Sequence, residues 1–239
     1  MAFKFDPLQV DPKFIYFDLD DTLLNHKKAE RAALLDLHDC FSLFDSVDAD
    51  RLVETYHKIN GEQWVLYSEG EINSDQLQQN RFELTLRALG LNDEHFDKIG
   101  SKYLQFYQNH WQWIDGAREA FQRVRTRYNV GILTNGFTEV QKKKFKRFNL
   151  YDQAKYLVIS EEVGVLKPNP AIFEHATRLA GYKAGEILYV GDSYRSDVTG
   201  GHSYGWNVAW YTNGSDPNQT DGADFIFKSY NKLCDWLNV

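Results

Sequence analysis

Residues 16–25, YFDLDDTLLN, place three aspartates directly after a short apolar segment. That segment, FIYF at residues 14–17, is apolar throughout, as is typical of a strand buried on both faces of a sheet. Side chains alternate along an extended chain, so continued extension would point Asp18 and Asp20 to one side and Asp21 to the other. The sequence therefore predicts two carboxylates that converge at the carboxyl end of a buried strand.

Five further apolar runs follow in the second half of the chain. They are NVGIL (129–133), YLVI (156–159), ILYV (187–190), NVAWY (207–211) and DFIF (224–227). Most of them are separated by stretches with helical periodicity, such as residues 116–128 and 138–148. Strands that alternate with helices in this way predict an α/β fold with three layers around a parallel sheet.

Residues 25–113 interrupt the alternation and show only helical periodicity, for example in residues 28–44 and 74–89. A single crossover helix between parallel strands needs far fewer residues than this. We therefore expect an all-helical subdomain, residues 25–113, inserted after the first strand of a core formed by residues 1–24 and 114–239.

Composition limits the classes of partner. The 239 residues carry 27 Lys and Arg against 34 Asp and Glu, a formal net charge of -7, which disfavours nucleic acid polymers and acidic membranes. Cys40 and Cys234 have neither zinc-site nor redox-motif spacing. The first residues, MAFKFDPLQV, lack the long apolar stretch of a signal peptide. We expect a cytoplasmic protein with no membrane partner, and the sequence leaves monomer and dimer open.

Acidic side chains recur at the end of the fourth apolar run. Asp192 is expected on the same side of the sheet as Asp18, and Asp197 follows it in the next helical turn. Carboxylates this close repel one another unless a cation intervenes, and Mg²⁺ is a hard cation that binds carboxylate and phosphate oxygens. Taken one at a time, however, these acids fit ordinary turns facing solvent equally well.

Polar groups also end the second and third apolar runs. Thr134, Asn135 and Gly136 offer a hydroxyl, an amide and backbone N–H groups ahead of a helix, an arrangement that binds phosphate. Lys167, before the following helix, would bring a positive charge to a phosphoryl group at the same edge. Each feature alone also fits a turn or a solvated lysine. Their order over four strand ends favours a phosphate site.

The strings DLDDT, ILTNG, LKP and GDSYRSD, in this order, resemble the four motifs of the haloacid dehalogenase superfamily of aspartate-nucleophile hydrolases. The resemblance spans nearly the whole chain. It implies a Rossmann-like core and a helical cap inserted directly after the first motif, where the periodicity already places a helical subdomain.

The resemblance also implies roles for the acidic residues. It makes Asp18 the nucleophile that attacks phosphorus and Asp20 the general acid and base. Mg²⁺ would be held by Asp18, the backbone carbonyl of Asp20, and Asp192, while Asp197 would lie behind these ligands or bind through water. The implied cofactor is therefore Mg²⁺, and the implied partner is a small phosphate ester.

Four further residues would stabilise the charge on the transferring phosphoryl group. The family pattern assigns this role to the Thr134 hydroxyl, the N–H groups of Asn135 and Gly136, and Lys167. Dehalogenating members lack the second aspartate, so Asp20 favours phosphoryl transfer. A phosphosugar mutase keeps all four motifs and stays open, whereas a non-catalytic binding domain would be expected to lose one of them.

Longer strings resemble a subfamily. LTNGFTEVQ, VISEEVGVLKP and GDSYRSDVTGG, with YSEGEINSDQLQQNRF at residues 67–82, are similar to the house-cleaning nucleotidases that hydrolyse pyrimidine nucleoside monophosphates. A phosphatase of another small metabolite, such as a sugar phosphate, is the alternative. Asn80 and Arg81 could bind a base or sugar, although an exposed helix face would explain them equally. Aromatic residues are frequent in the same region and could stack on a base or form the subdomain core.

Overall fold

The computed structural model describes residues 11–215, 217–218 and 220–239. The stretch MAFKFDPLQV, which bears on the expectation about a signal peptide, lies outside the described residues. The chain divides into two compact units, one comprising Met1–Asn25 with Trp113–Val239 and the other His26–Gln112. We call these the core unit and the helical unit.

The core unit contains one parallel sheet. Its strands are β1 (Phe14–Phe17), β2 (Asn129–Thr134), β3 (Tyr156–Ile159), β4 (Ile187–Gly191), β5 (Asn207–Tyr211) and β6 (Phe225–Phe227). The strand order is β3-β2-β1-β4-β5-β6, and all neighbouring strands pair in parallel. This is the order of Rossmann-like doubly wound sheets. The predicted parallel α/β sheet is confirmed, and β1 lies at its centre.

Helices connect the strands and form the helical unit. They are α1 (His26–Cys40), α2 (Ala49–Glu69), α3 (Ser74–Ala88), α4 (Phe96–Asn109), α5 (Ala117–Arg127), α6 (Thr138–Arg147), α7 (Ser160–Val163), α8 (Pro170–Ala180), α9 (Gly200–Tyr204) and α10 (Tyr230–Leu237). A π-helical turn, Tyr194–Thr199, precedes α9. Within the described residues, no helix is long and apolar enough to span a membrane.

Both faces of the sheet are covered, which explains why its strands read as continuous apolar runs. On one face Ile15 and Phe17 of β1 pack with apolar residues of α5 and α10. On the other face Phe14 and Tyr16 pack with apolar residues of α8. β1 pairs with β2 on one side and with β4 on the other, so that Phe17 lies level with Ile132 of β2 and with Val190 of β4. The residues after these strands therefore emerge together at one edge of the sheet.

Two helices of the helical unit, α2 and α3, begin with local capping signals. Asp48 caps α2 by accepting the backbone N–H of Arg51, and the helix ends at Gly70 in a left-handed conformation with φ 77°. Asn73 and Gln76 form a capping box at the start of α3. Much of the string YSEGEINSDQLQQNRF is thus accounted for by the end of α2 and the start of α3.

A carboxylate is buried at the centre of the helical unit. Glu30 of α1 is 4 % exposed, and its Oε1 lies 2.8 Å from His57 Nε2 of α2. Asn60 Nδ2 donates to Glu30 Oε2 at 3.3 Å, and the Tyr103 hydroxyl of α4 donates to the same oxygen at 3.5 Å. Burial alone would raise the pKa of Glu30, but the neighbouring His26, His57 and Arg81 outweigh burial and hold this pKa below its ordinary value of 4.5.

The alternative that Arg81 lies on an exposed helix face is wrong. The Arg81 side chain is buried, with its guanidinium 5.1 Å from the centre of the Phe82 ring and 5.5 Å from that of Tyr103. A guanidinium is stabilised in such a position by aromatic faces and by the buried carboxylate. Asn80 Nδ2 donates to Gln63 Oε1 at 2.8 Å. Six aromatic residues are buried in the helical unit: Phe44, Tyr56, Phe82, Tyr103, Tyr107 and Trp111.

The Glu30 cluster predicts a pH-dependent stability of the helical unit. A carboxyl with a lowered pKa stabilises the fold above about pH 4.5 and loses this contribution as the pH falls. The hydrogen bond with Glu30 raises the pKa of His57 above 6.5, so its contribution is complete below that pH and disappears as the pH rises through the folded-state pKa. We expect Glu30→Gln to lower the free energy of unfolding by about 1–3 kcal/mol at pH 6. At pH 8 the loss should decrease, because less of His57 is charged. The decrease should stay below about 1 kcal/mol, since His57 is partly exposed.

Urea denaturation of the wild type and Glu30→Gln at pH 5, 6, 7 and 8 measures this difference. Glu62→Gln, an exposed change on α2, is the matched control and should have little effect at any of these pH values. A cost of Glu30→Gln that is the same at all four pH values would contradict the assignment of the pair to His57.

Candidate active site

Asp18 is the first residue after β1 and is 5 % exposed. Its backbone N–H donates to the Val190 carbonyl at 2.8 Å, which continues the pairing with β4 one residue beyond the strand. The chain turns soon afterwards, because the backbone N–H groups of Leu23 and Leu24 both donate to the Leu19 carbonyl at 2.8 Å. Asp21 takes a left-handed conformation with φ 60° in this turn. The alternation of side-chain directions expected for an extended chain therefore does not extend to Asp21.

Lys167 lies at the centre of the site and is 3 % exposed. Its Nζ donates to Asp18 Oδ1 at 2.7 Å, to Asp197 Oδ1 at 2.7 Å and to the Tyr189 hydroxyl at 2.6 Å. An ammonium group has three N–H donors, so these contacts use all of them. The Tyr189 hydroxyl also lies 2.8 Å from the Leu133 carbonyl oxygen, which fixes it against β2. Lys167, which follows β3, thus joins groups that lie in or after two other strands, β1 and β4.

Asp197 is held by the turn that carries it. The residue is 1 % exposed, and its Oδ2 accepts the backbone N–H of Ser193 at 2.9 Å. A Cβ on Gly191 would lie 2.5 Å from the Asp197 carboxyl, so the absence of a side chain at the end of β4 lets this carboxylate approach the strand. The π-helical turn directs Asp197 back toward Lys167.

Asp192 completes a group of three carboxylates. One oxygen each of Asp18, Asp192 and Asp197 lies within 4.8 Å of the others. The Thr22 hydroxyl donates to Asp192 Oδ1 at 3.3 Å. Three carboxylates face one ammonium here, so negative charge is in excess. Clustered hard oxygen ligands with excess negative charge fit a Mg²⁺ ion.

Burial controls the ionisation of this cluster. Burial raises the pKa of Asp18 to about 7, even though Lys167 opposes the shift, and the nearby Asp197 and Asp20 raise it further. Burial also lowers the pKa of Lys167, but the charges of Asp18 and Asp197 outweigh burial and keep this pKa above its ordinary value. The lysine therefore stays charged, and a further cation beside Asp18 would favour the ionised carboxylate.

The predicted phosphate-binding residues lie at the end of β2. The Asn135 side chain binds the backbone of Lys167, accepting its N–H at 2.9 Å and donating to its carbonyl at 3.1 Å. The Gly136 N–H donates to Ser160 Oγ at 3.2 Å, and the Thr134 hydroxyl donates to the Asn135 carbonyl at 3.2 Å. The Asn135 side chain thus fixes the segment that carries Lys167.

Two residues of α6, which the sequence analysis did not identify, bind Asp20. Lys144 Nζ donates to both Asp20 carboxylate oxygens, at 2.7 and 2.8 Å, and Gln141 Nε2 donates to Oδ2 at 2.9 Å. The signal for them is weak but present, because Phe137, Gln141, Lys144 and Phe145 share the buried face of one helical period. A polar residue on an apolar face indicates a buried partner.

A Rossmann-like sheet with a lysine-linked carboxylate cluster at its carboxyl edge defines an α/β protein with a polar site at the strand ends, where ligands bind in such folds. Residues 12–205 match the model of the haloacid dehalogenase-like hydrolase family. The chain belongs to this family.

Known proteins of the family resemble most of the chain. The pyrimidine 5'-nucleotidase YjjG of Escherichia coli (strain K12) is 34% identical over 200 residues, which cover 82% of this chain and 84% of that protein. A glyceraldehyde 3-phosphate phosphatase of Pyrococcus abyssi is 30% identical over 207 residues, covering 84% and 82%. The crystal structure of the HAD-hydrolase YfnB of Bacillus subtilis bound to magnesium has a TM-score of 0.81 at 26% identity and covers 95% of this chain and 99% of that one.

The buried ion pair of Lys167 with Asp197 predicts a strong energetic coupling. We expect Asp197→Asn alone to lower the free energy of unfolding by about 1–3 kcal/mol, because Lys167 loses one of its two carboxylate partners and keeps Asp18. The double variant Lys167→Met/Asp197→Asn should cost less than the sum of the single variants by about 2–3 kcal/mol.

Urea denaturation of the four proteins measures this coupling. The exposed pair of Lys232 and Asp235, 3.7 Å apart, is the matched control and should show no measurable coupling. Additivity within about 0.5 kcal/mol for the Lys167 and Asp197 variants would refute the proposed linkage.

Proposed function

We propose that this protein is a Mg²⁺-dependent phosphomonoester hydrolase that works through an aspartyl-phosphate intermediate. The observation that carries the proposal is the burial and hydrogen bonding of the Asp18 carboxylate. Lys167 donates a hydrogen bond to Asp18 Oδ1, and in the described part of the chain this is the one hydrogen bond that the carboxylate accepts. Oδ2 is therefore left for bond formation. A buried, oriented carboxylate of this kind suits nucleophilic attack on phosphorus.

The reaction proceeds in two displacements. In the first, an Asp18 oxygen attacks phosphorus, and the bond to the leaving oxygen breaks with its electron pair while Asp20 supplies a proton to that oxygen. In the second, Asp20 accepts a proton from water as the water oxygen attacks the aspartyl phosphate. The bond between phosphorus and the Asp18 oxygen then breaks, which restores the carboxylate and releases inorganic phosphate.

The residues that would hold the ion are Asp18, Asp192 and the backbone carbonyl of Asp20. When bound, Mg²⁺ would neutralise charge between the anionic nucleophile and the anionic phosphate. The two carboxylate oxygens of Asp197 accept hydrogen bonds from Lys167 and from the Ser193 N–H. These contacts support a role in which Asp197 orients the metal ligands without binding the ion directly.

The remaining positive and polar groups would stabilise the transferring phosphoryl group. Lys167 supplies a fixed charge next to Asp18, and the turn Thr134–Gly136 supplies a hydroxyl and backbone N–H groups at the same sheet edge. The Thr134 hydroxyl and the Gly136 N–H have protein acceptors here, so binding of phosphate would exchange these bonds for stronger bonds to an anion.

For the substrate we propose pyrimidine nucleoside monophosphates, with the helical unit acting as the cap that selects the leaving group. Support comes from the 34% identity with a pyrimidine 5'-nucleotidase over 82% of this chain. The similarity to a glyceraldehyde 3-phosphate phosphatase makes a small sugar phosphate the second candidate. We place the enzyme in the cytoplasm, where free thiols such as those of Cys40 and Cys234 stay reduced.

Replacement of the nucleophile gives the first functional prediction. Asp18→Asn should lower Mg²⁺-dependent phosphate release by more than about 10⁴-fold, because an amide does not form the intermediate. The fold should persist, since burial already favours a neutral group at this position. Phosphate release together with circular dichroism checks both points, with the exposed change Asp115→Asn as control. Near-normal turnover of Asp18→Asn would exclude Asp18 as the nucleophile.

A panel of substrates gives the second functional prediction. We expect kcat/KM for dUMP, dTMP or UMP to exceed that for purine nucleotides and for glyceraldehyde 3-phosphate by about tenfold or more, and a chelator should abolish the activity. A preference for the triose phosphate would replace the nucleotidase proposal while retaining the chemistry. A sugar phosphate that is isomerised rather than dephosphorylated would indicate a mutase, and inactivity with every ester would favour a binding role.

A further inference from the structure

Asp20 forms a second ion pair, separate from the one between Lys167 and Asp18, in which the lysine is buried and the carboxylate is partly exposed. Lys144 is 2 % exposed, although it lies in a run of lysines whose neighbours on α6 face solvent. Its Nζ lies 2.7 Å from Asp20 Oδ1 and 2.8 Å from Oδ2. An ammonium group is buried at high cost unless it is paired, so the geometry of this contact is strongly constrained.

Gln141, one helical turn earlier, fixes the same carboxylate from a second direction. Its Nε2 lies 2.9 Å from Asp20 Oδ2, 2.9 Å from Thr134 Oγ1 and 3.2 Å from the Asn135 carbonyl oxygen. A Cβ on Gly136 would lie 2.6 Å from this nitrogen, so the glycine makes room for the amide. One side chain therefore connects Asp20 to the turn at the end of β2.

We propose that Lys144 and Gln141 are positioning residues that hold the Asp20 carboxylate in line for proton transfer to the leaving oxygen. This inference rests on the proposed phosphomonoesterase function. Both residues act through Asp20, which they contact directly. Lys144 supplies most of the constraint because it engages both oxygens of the ionised carboxylate, while Gln141 sets the orientation of Oδ2 relative to the turn Thr134–Gly136. When Asp20 carries a proton on Oδ1, Oδ2 can still accept hydrogen bonds from Lys144 and Gln141, so the carboxyl stays oriented while Oδ1 gives its proton to the leaving oxygen.

The position of the Asp20 carboxylate matters most for substrates whose leaving oxygen needs a proton. A nitrophenolate leaves phosphorus without protonation, whereas an alkoxide, such as the 5' oxygen of a nucleoside, needs a proton as the bond breaks. Displacement of a general acid by a fraction of an ångström weakens only the second kind of reaction. A residue that merely supports the fold would affect both kinds equally.

The experiment compares kcat/KM for the wild type and Lys144→Met over a series of phosphate monoesters. The series runs from 2,4-dinitrophenyl phosphate through phenyl phosphate to an alkyl phosphate and UMP. For these substrates kcat/KM reports the steps up to departure of the leaving group, so hydrolysis of the intermediate does not enter. We expect a loss of about 10²-fold with the alkyl phosphate and UMP but less than about threefold with the dinitrophenyl ester.

Control variants separate positioning from general damage. Lys143→Met removes the adjacent exposed lysine and should leave the whole series unchanged, and Lys144→Arg should recover part of the loss with alkyl esters. If Lys144→Met does not fold, as judged by circular dichroism, Gln141→Met supplies the test, with a smaller loss confined to the same esters.

Two results would overturn the inference. One is a loss that is equal for all esters, and the other is no loss with any of them. A wild type that releases no phosphate from any ester would instead refute the proposed function and the inference with it, so the two failures are distinguished by the wild-type series alone.

Discussion

The buried ammonium of Lys167 determines how the strand ends are arranged. Its three N–H groups bind Asp18, Asp197 and Tyr189, which belong to or follow strands at the centre of the sheet. A charge with so little access to water is tolerated only when every donor is satisfied. The segment that carries Lys167 is fixed by the Asn135 side chain, so β2 and the segment after β3 are placed relative to each other. Displacing any of these three groups would leave one N–H donor of the buried ammonium without an acceptor.

The same cluster is electrostatically incomplete. Three carboxylates are opposed by one ammonium, and burial brings the pKa of Asp18 to about 7. A protein fold gains little from such an arrangement by itself, because each buried carboxylate costs desolvation energy. The arrangement is instead suited to a site that binds a divalent cation and an anionic group together. Structural features that reduce stability are expected where a protein does chemistry.

Much of the fold follows from the sequence because strands buried on both faces leave long apolar runs, and parallel strands bring their carboxyl ends to one edge. Side-chain partners were harder to predict. Lys144 is one of several lysines in a row, and only the period of the apolar residues around it indicates which one is buried. Arg81 was open to an exposed interpretation because two of its partners, Glu30 and Tyr103, lie on other helices far away in sequence. Pairing over such distances depends on the packed fold.

Helix α6 performs two tasks with one face. Phe145 packs into the core, while Gln141 and Lys144 on the same face hold Asp20. The opposite face carries Lys142 and Lys143, both exposed to solvent. Sequence divergence in this helix is therefore expected to be uneven. Changes on the outer face should be tolerated, whereas a change on the inner face alters both the interior packing and Asp20, the proposed acid–base residue. A designer who transplanted this site to another scaffold would have to move the helix with it.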